Sequence, residues 1–236
     1  MKMKMIVLAA AAVSLLAGQA IAADLPTKAP ALSYQYPTTK CGLYYGVNTT
    51  GSTGSVENAA VGTQATSAGV GLDIGYTCPV GAGYWFTDAS VDFQNFNGAA
   101  NGFSISGPVM FEERFGFGAP VNLIMGLIPG LSALQSAMPS LIPLPSNVSV
   151  NTSSPYIFGG FHQDDVGVNN GLASNREFLL SGGIGLGNKI LLSNGVVFDP
   201  SVEYILPSSA ICVGPLGGNL CYHQSSQFRV RASLDF

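Results

Sequence analysis

Few residues in this chain have the types and spacing for chemistry. His162 stands with Asp164 and Asp165, a nitrogen and oxygen donor set of the kind that holds a metal ion. Three such donors in a mobile loop are more often a solvated turn, and that is the expectation here. His223 beside Ser225 and Ser226 offers a base next to two hydroxyls, the ingredients of an activated nucleophile. Nothing in the sequence fixes their mutual geometry, and no enzymatic activity is expected. There is no G-x-S-x-G, H-E-x-x-H or phosphate-binding loop. Gly69, Gly71 and Gly75 lie inside an alternating stretch with no helix behind them to hold a phosphate. The N-x-S/T triplets at Asn48, Asn147 and Asn151 would mean nothing if the host were bacterial. No cofactor and no resident metal are expected.

The remaining reactive residues are Cys41, Cys78, Cys212 and Cys221. Their spacing is not that of zinc or thioredoxin sites. An even number suits disulfides in an exported chain, with three connectivities open. Export is also written at the start. Lys2 and Lys4, the apolar run from Ile6 to Leu16, and Ala20-Ile21-Ala22 have the order of a secretory signal peptide over residues 1–22. The run is too short for a membrane helix, which needs about 20 apolar residues.

The composition narrows the class. Charged residues are 9% of the chain, against about 25% in a soluble globular protein. Glycine is 30 of 236 residues, where about 7% is usual. Apolar residues are an ordinary 47%, and mean hydropathy is +0.35. The missing charge is therefore replaced by Gly, Ser, Thr and Asn. Disorder demands more charge, a helical bundle less glycine, and nucleic-acid binding a basic excess that a net charge of −4 does not provide.

What positions the candidate residues is a series of strands with period-two alternation. Eight runs show it: 41–48, 69–77, 84–96, 103–117, 155–163, 176–192, 196–206 and 228–236. In the second, Val70, Leu72, Ile74 and Tyr76 alternate with glycines, Asp73 and Thr77. In the fourth, Ile105, Val109, Phe111, Phe115 and Phe117 are in register, although Glu113 spoils that face. In the last, Phe228, Val230, Ala232, Leu234 and Phe236 alternate with Arg229, Arg231, Ser233 and Asp235. Two architectures use such strands: a soluble periplasmic β-sandwich acting as a binding module, or a transmembrane antiparallel barrel. Small polar faces of Gly, Ser and Asp, with aromatics such as Tyr44-Tyr45 and Tyr84-Trp85-Phe86 near strand ends, favour the barrel.

The two ends of the chain add a resemblance. The terminal Phe236, preceded by apolar Phe228, Val230, Ala232 and Leu234, resembles the C-terminal assembly signal of bacterial outer-membrane β-barrels. The start at Ala23-Asp24-Leu25-Pro26, continuing to Lys28-Ala29-Pro30, and the motif Gly42-Leu43-Tyr44-Tyr45-Gly46-Val47 are similar to the small porin-like outer-membrane proteins of alphaproteobacteria. The resemblance implies an all-β, up-and-down barrel of eight strands, with ten also open. It implies outer-membrane lipid and the barrel-assembly machinery as partners, and no universal catalytic residues.

In such a barrel both termini face the periplasm, periplasmic turns are short and outer loops long. Residues 79–83 and 193–195 then read as turns, and residues 49–66 and 207–224 as outer loops. Cys41 and Cys78 fall at the same rim of neighbouring strands, and Cys212 and Cys221 in one loop. Disulfides Cys41–Cys78 and Cys212–Cys221 are therefore expected. Inward faces place Asp73, Asp88, Asp92, Glu112, Asp199 and Glu203 where they can meet Arg114, Arg229 and Arg231, since buried charge must be paired. Residues 23–40 read as a periplasmic linker and 41–236 as the barrel. The uncharged, apolar insertion 119–150 has helical spacing interrupted by Pro129, Pro139 and Pro143. It is expected either as a periplasmic helix pair that lies on the membrane or mediates self-association, as two further strands, or as an outer loop. The function expected is a structural or surface-exposed role in the cell envelope, with a narrow porin and the soluble binding module as alternatives.

Overall fold

The alternation has one stable outcome when consecutive strands pair in order. A computed structural model describes residues 40–57, 62–100, 103–119, 148–169, 171, 173–213 and 220–236. The strands are β1 (Gly42–Glu57), β2 (Gly62–Val80), β3 (Gly83–Ala100), β4 (Phe103–Gly118), β5 (Val150–Asn169), β6 (Ser174–Leu192), β7 (Val197–Ile205), β8 (Ala210–Val213), β9 (Leu220–Gln224) and β10 (Gln227–Asp235). Each of β1 to β6 pairs antiparallel with the next, β7 pairs with β10, and β10 returns to β1 from Gly46↔Asp235 to Thr53↔Phe228. Eight strands thus close one sheet into a barrel. This excludes the two facing sheets of a soluble sandwich. It also excludes ten strands in the wall, because β4 pairs directly with β5, for example at Gly118↔Tyr156. β4 is a single strand, which removes the split-strand premise of the outer-loop reading, and the flanks of the insertion leave and re-enter at the rim of the β2–β3 turn. Signal peptide, linker and most of the insertion (residues 1–39 and 120–147) lie outside the described residues.

Strands β1 to β6 run for 16 to 20 residues, longer than the alternation suggested and longer than the roughly 9–11 that cross a membrane. The expected loop 49–66 is therefore mostly strand. Its Thr, Ser and Gly residues are poor in the apolar signal but pair fully, from Thr49↔Val70 to Glu57↔Gly62. The expected loop 207–224 is likewise structured. β8 continues the line of β7 beside β6, through Ser209 N–H to the Leu180 carbonyl (2.8 Å). β9 continues β10 beside β1, with His223 opposite Glu57. The links at 81–82 and 193–196 are tight, with Gly81 and Gly195 at φ of 57° and 88°, backbone that favours glycine.

One face was misread in the sequence. Ile105 is buried inside the barrel, while Phe111, Phe115 and Phe117 point outward. Between Ser106 and Met110, β4 carries one residue more than β5. This bulge reverses the parity of everything beyond it. Pro108 sits there, and at a bulge its missing N–H costs no ladder bond.

Inside the near rim, which carries Gly42 and Asp235, the wide side chains are accommodated by glycines directly across the strand. Tyr44 faces Gly75, Phe86 faces Gly116, Tyr84 faces Gly118, Phe158 faces Gly185 and Tyr156 faces Gly187. A Cβ at each of these glycines would run into the ring of its partner. Ring lies on glycine because an eight-stranded lumen has no room for two side chains at that level. Gly159 is different, because its Cβ position points outward and meets only the Gly183 carbonyl at 3.8 Å. Gly75→Val should therefore lower folding stability by about 1–3 kcal/mol through overpacking. Gly159→Val should change it by under about 0.5 kcal/mol. Urea titration followed by heat-modifiable gel migration compares the two, and equal effects would refute the ring-on-glycine account.

Candidate functional site

The interior faces of these strands bring charged side chains together from all parts of the sequence. All nine residues expected in the lumen are buried there: Asp73, Asp88, Asp92, Glu112, Arg114, Asp199, Glu203, Arg229 and Arg231. At mid-height Arg114 donates from Nε and Nη2 to the two oxygens of Asp88, each at 2.8 Å. The Tyr44 hydroxyl donates to the same carboxylate at 3.0 Å. Glu112 accepts from Arg229 at 2.9 Å and Arg231 at 3.1 Å. Arg229 also pairs with Asp92, and Arg231 with Asp73 at 3.2 Å. Two-pronged guanidinium–carboxylate geometry of this kind is what makes a buried pair tolerable.

Four further members of the network were missed. Lys189, fully buried, donates to Asp199 at 2.9 Å and Asp235 at 3.1 Å, and lies 4.5 Å from the centroid of the Tyr44 ring. His162 Nε2 lies 2.9 Å from Glu203, and Asp164 accepts from Gln94 at 3.3 Å. Parity held the clue. Lys189 shares the parity of inward Gly185 and Gly187, and Asp235 that of Arg229 and Arg231. For His162 and Asp164 the signal was discounted because the donor set was taken for a loop, although the alternating run 155–163 already contained His162. It is strand β5, so His162 and Asp164 point inward while Asp165 points away, 3.6 Å from Arg176. These three cannot converge on one ion.

A different trio, Glu112, His162 and Glu203, brings ligand atoms within 4.8 Å of one another. Here Glu112 already neutralises Arg229 and Arg231, and His162 is engaged by Glu203, so guanidinium occupies the cation's role. The other chemical candidate also resolves into wall structure. His223 sits in β9, and the Ser225 hydroxyl is held 2.7 Å from that of Ser55.

The charged layer is closed at both ends. Towards the near rim lies a cluster of Tyr84, Phe86, Tyr156, Phe158, Leu191 and Val197. Towards the far rim lies a cluster of Ile105, Val166, Val168, Leu179, Ile211 and Tyr222. Cys41 and Cys78 are joined at the near rim with Cα atoms 4.1 Å apart. Cys212 and Cys221 are joined across β8 and β9 at 3.9 Å, which staples the hairpin that supplies Ile211 and Tyr222. In the terminal strand, Phe228 is exposed to the outside and Val230, Ala232, Leu234 and Phe236 are half-buried on the same parity. Phe236 N–H donates to the Tyr45 carbonyl at 2.8 Å.

Among known proteins, no family model matches this chain, and no curated protein matches it. Solved structures do resemble it. Neisserial surface protein A shows 10% identity over 82% of this chain and 97% of its own, with a TM-score of 0.39. Ail, the attachment invasion locus protein of Yersinia pestis, shows 11% identity over 82% and 98%, with a TM-score of 0.38. The outer membrane protein OprG from Pseudomonas aeruginosa shows 10% identity over 84% and 97%, with a TM-score of 0.39. The barrel described above stands on its own strand pairing and not on these likenesses.

Truncating one partner of the central pair should be costly. Arg114→Met leaves Asp88 buried with only the Tyr44 hydroxyl, and a loss of about 3–5 kcal/mol is expected. Arg114→Met with Asp88→Leu should recover most of it. Urea midpoints of the two single variants and the double form a cycle, and additive losses would show that the pair is not coupled.

Proposed function

We propose that this chain is an integral outer-membrane β-barrel with a non-enzymatic, structural or surface-facing role in the cell envelope. One observation carries the reading: the barrel is apolar outside and charged inside. Phe161 is 75% exposed, Leu43 70%, and Ile184 and Leu186 65% each, whereas Asp92, Lys189 and His162 are inaccessible. Water would favour the reverse arrangement. Hydrocarbon favours this one, because lipid covers the apolar wall and closure by β1 and β10 leaves no open strand edge in the described eight-stranded wall. Aromatics at the near rim suit the headgroup level: Tyr45 stacks on Phe236 with centroids 6.2 Å apart, and Tyr76 lies 5.9 Å from Trp85. The near rim is then periplasmic, and the long strands carry the far rim beyond the outer leaflet. Export through residues 1–22 and capture of the Phe228–Phe236 pattern by the barrel-assembly machinery complete the reading.

The porin alternative is disfavoured by the two apolar clusters, which bracket a lumen already filled by ion pairs. Two measurements test the proposal. Carbonate washing of membranes should leave the protein in the pellet, and release without detergent would refute membrane integration. In planar bilayers the purified protein should give no steady conductance steps. Reproducible nanosiemens steps would reinstate the porin.

A further inference from the structure

One side chain contradicts the apolar wall. Glu113 points outward from the middle of β4 and is exposed. Phe111 and Phe115 flank it on its own strand, both exposed. Ala89 lies opposite on β3 and Phe161 opposite on β5. The Glu113 side chain makes no hydrogen bond or ion pair with any described residue. On the membrane reading proposed above, this is a carboxyl group facing hydrocarbon, where ionisable groups are costly and mark a contact with something else.

A second polar group stands next to it. Gln163 on β5 is also exposed, and it lies opposite Phe111, one diagonal step from Glu113. Diagonal neighbours on paired strands are about 7–8 Å apart. The Gln163 amide too lacks a partner among the described residues. Lipid headgroups do not answer this need, because the two residues sit among Phe111, Phe115 and Phe161 and not at the aromatic rim. A carboxyl group accepts hydrogen bonds and a carboxamide donates them, so the pair Glu113 and Gln163 complements a second copy of itself. The symmetry is right as well. Two copies inserted in the same sense are related by a twofold axis along the membrane normal, and a twofold contact is reciprocal. The adjoining surface has relief for packing: Phe161 projects, while the outward sides of Gly159 and Gly182 are open, with nearest atoms 3.8 and 3.7 Å from an added Cβ.

We propose that the β4–β5 wall is a homodimer interface within the membrane, in which Glu113 of each copy hydrogen-bonds Gln163 of the other. Small residues and polar side chains are the groups that hold membrane segments together where lipid supplies no hydrophobic drive.

The test uses the full-length protein in its own membranes. A photo-crosslinking amino acid replaces Phe161 at the interface or Ile74 on the β2 wall as control. Crosslinking from position 161 should yield a product of twice the chain mass, identified as this chain alone by mass spectrometry, and position 74 should not. Glu113→Leu should reduce the dimer about tenfold, the loss of two reciprocal hydrogen bonds, while Glu113→Gln should keep most of it. Heat-modifiable migration confirms that each variant is folded. Equal crosslinking at both positions, an unchanged dimer in Glu113→Leu, or a product containing a different protein would each overturn the proposal. Carbonate washing of the same samples separates the two readings. A protein released by the wash fails as a membrane barrel, whereas a retained but monomeric protein fails only at this interface.

Discussion

In hydrocarbon no water is available to satisfy the N–H and C=O groups of a strand edge, and the pairing of β1 with β10 removes the last such edge. Closing the sheet with eight strands also fixes its circumference, and the circumference fixes the width of the interior. That width is one that side chains can fill, and it is too small for two large side chains at one level. The interior is consequently a packing problem with polar pieces, solved by glycine under aromatic rings and by guanidinium between carboxylates.

The two solutions occupy different heights and support one another. Tyr44 rests on Gly75, and its hydroxyl reaches Asp88, which holds Arg114. Tyr156 rests on Gly187 and donates to Asp199, which holds Lys189. Each aromatic ring thus fills space left by a glycine and positions an acid for its cation. The glycine-rich, charge-poor composition is the imprint of this arrangement. Outward positions are given to apolar side chains, and inward positions to small residues wherever a ring or an ion pair must pass.

How much of this was legible in the sequence depended on whether parity survived. From Val70 to Tyr76, and again from Phe228 to Asp235, strict alternation told inside from outside residue by residue, and the paired charges followed from it. At Gly107-Pro108 a single extra residue broke the count, so Ile105 was placed on the wrong face. Residues 49–57 were taken for a loop because Thr, Ser and Gly give no hydrophobic contrast, although their backbones pair as well as any. His162 and Asp164 were read as solvated because two acids and a histidine in succession look like a turn. Inside a closed barrel the same composition is interior lining. The near-rim glycine–aromatic matches required the register between strands, which no single strand's pattern contains.

The order in which the chain is made gives the charge network a further meaning. Most of its acids come from β2 to β7, whereas Arg229 and Arg231, two of the four permanent cations among the described lumen residues, arrive with β10, the last strand. Until that strand is in place Glu112 lacks both of its closest counter-charges, and Asp92 and Asp73 lack theirs. A chain truncated before Gln227 would therefore have an open edge and an interior of mutually repelling carboxylates. Strand β10 acts as the electrostatic keystone of the barrel, so a fully paired lumen requires that the chain has been made through β10.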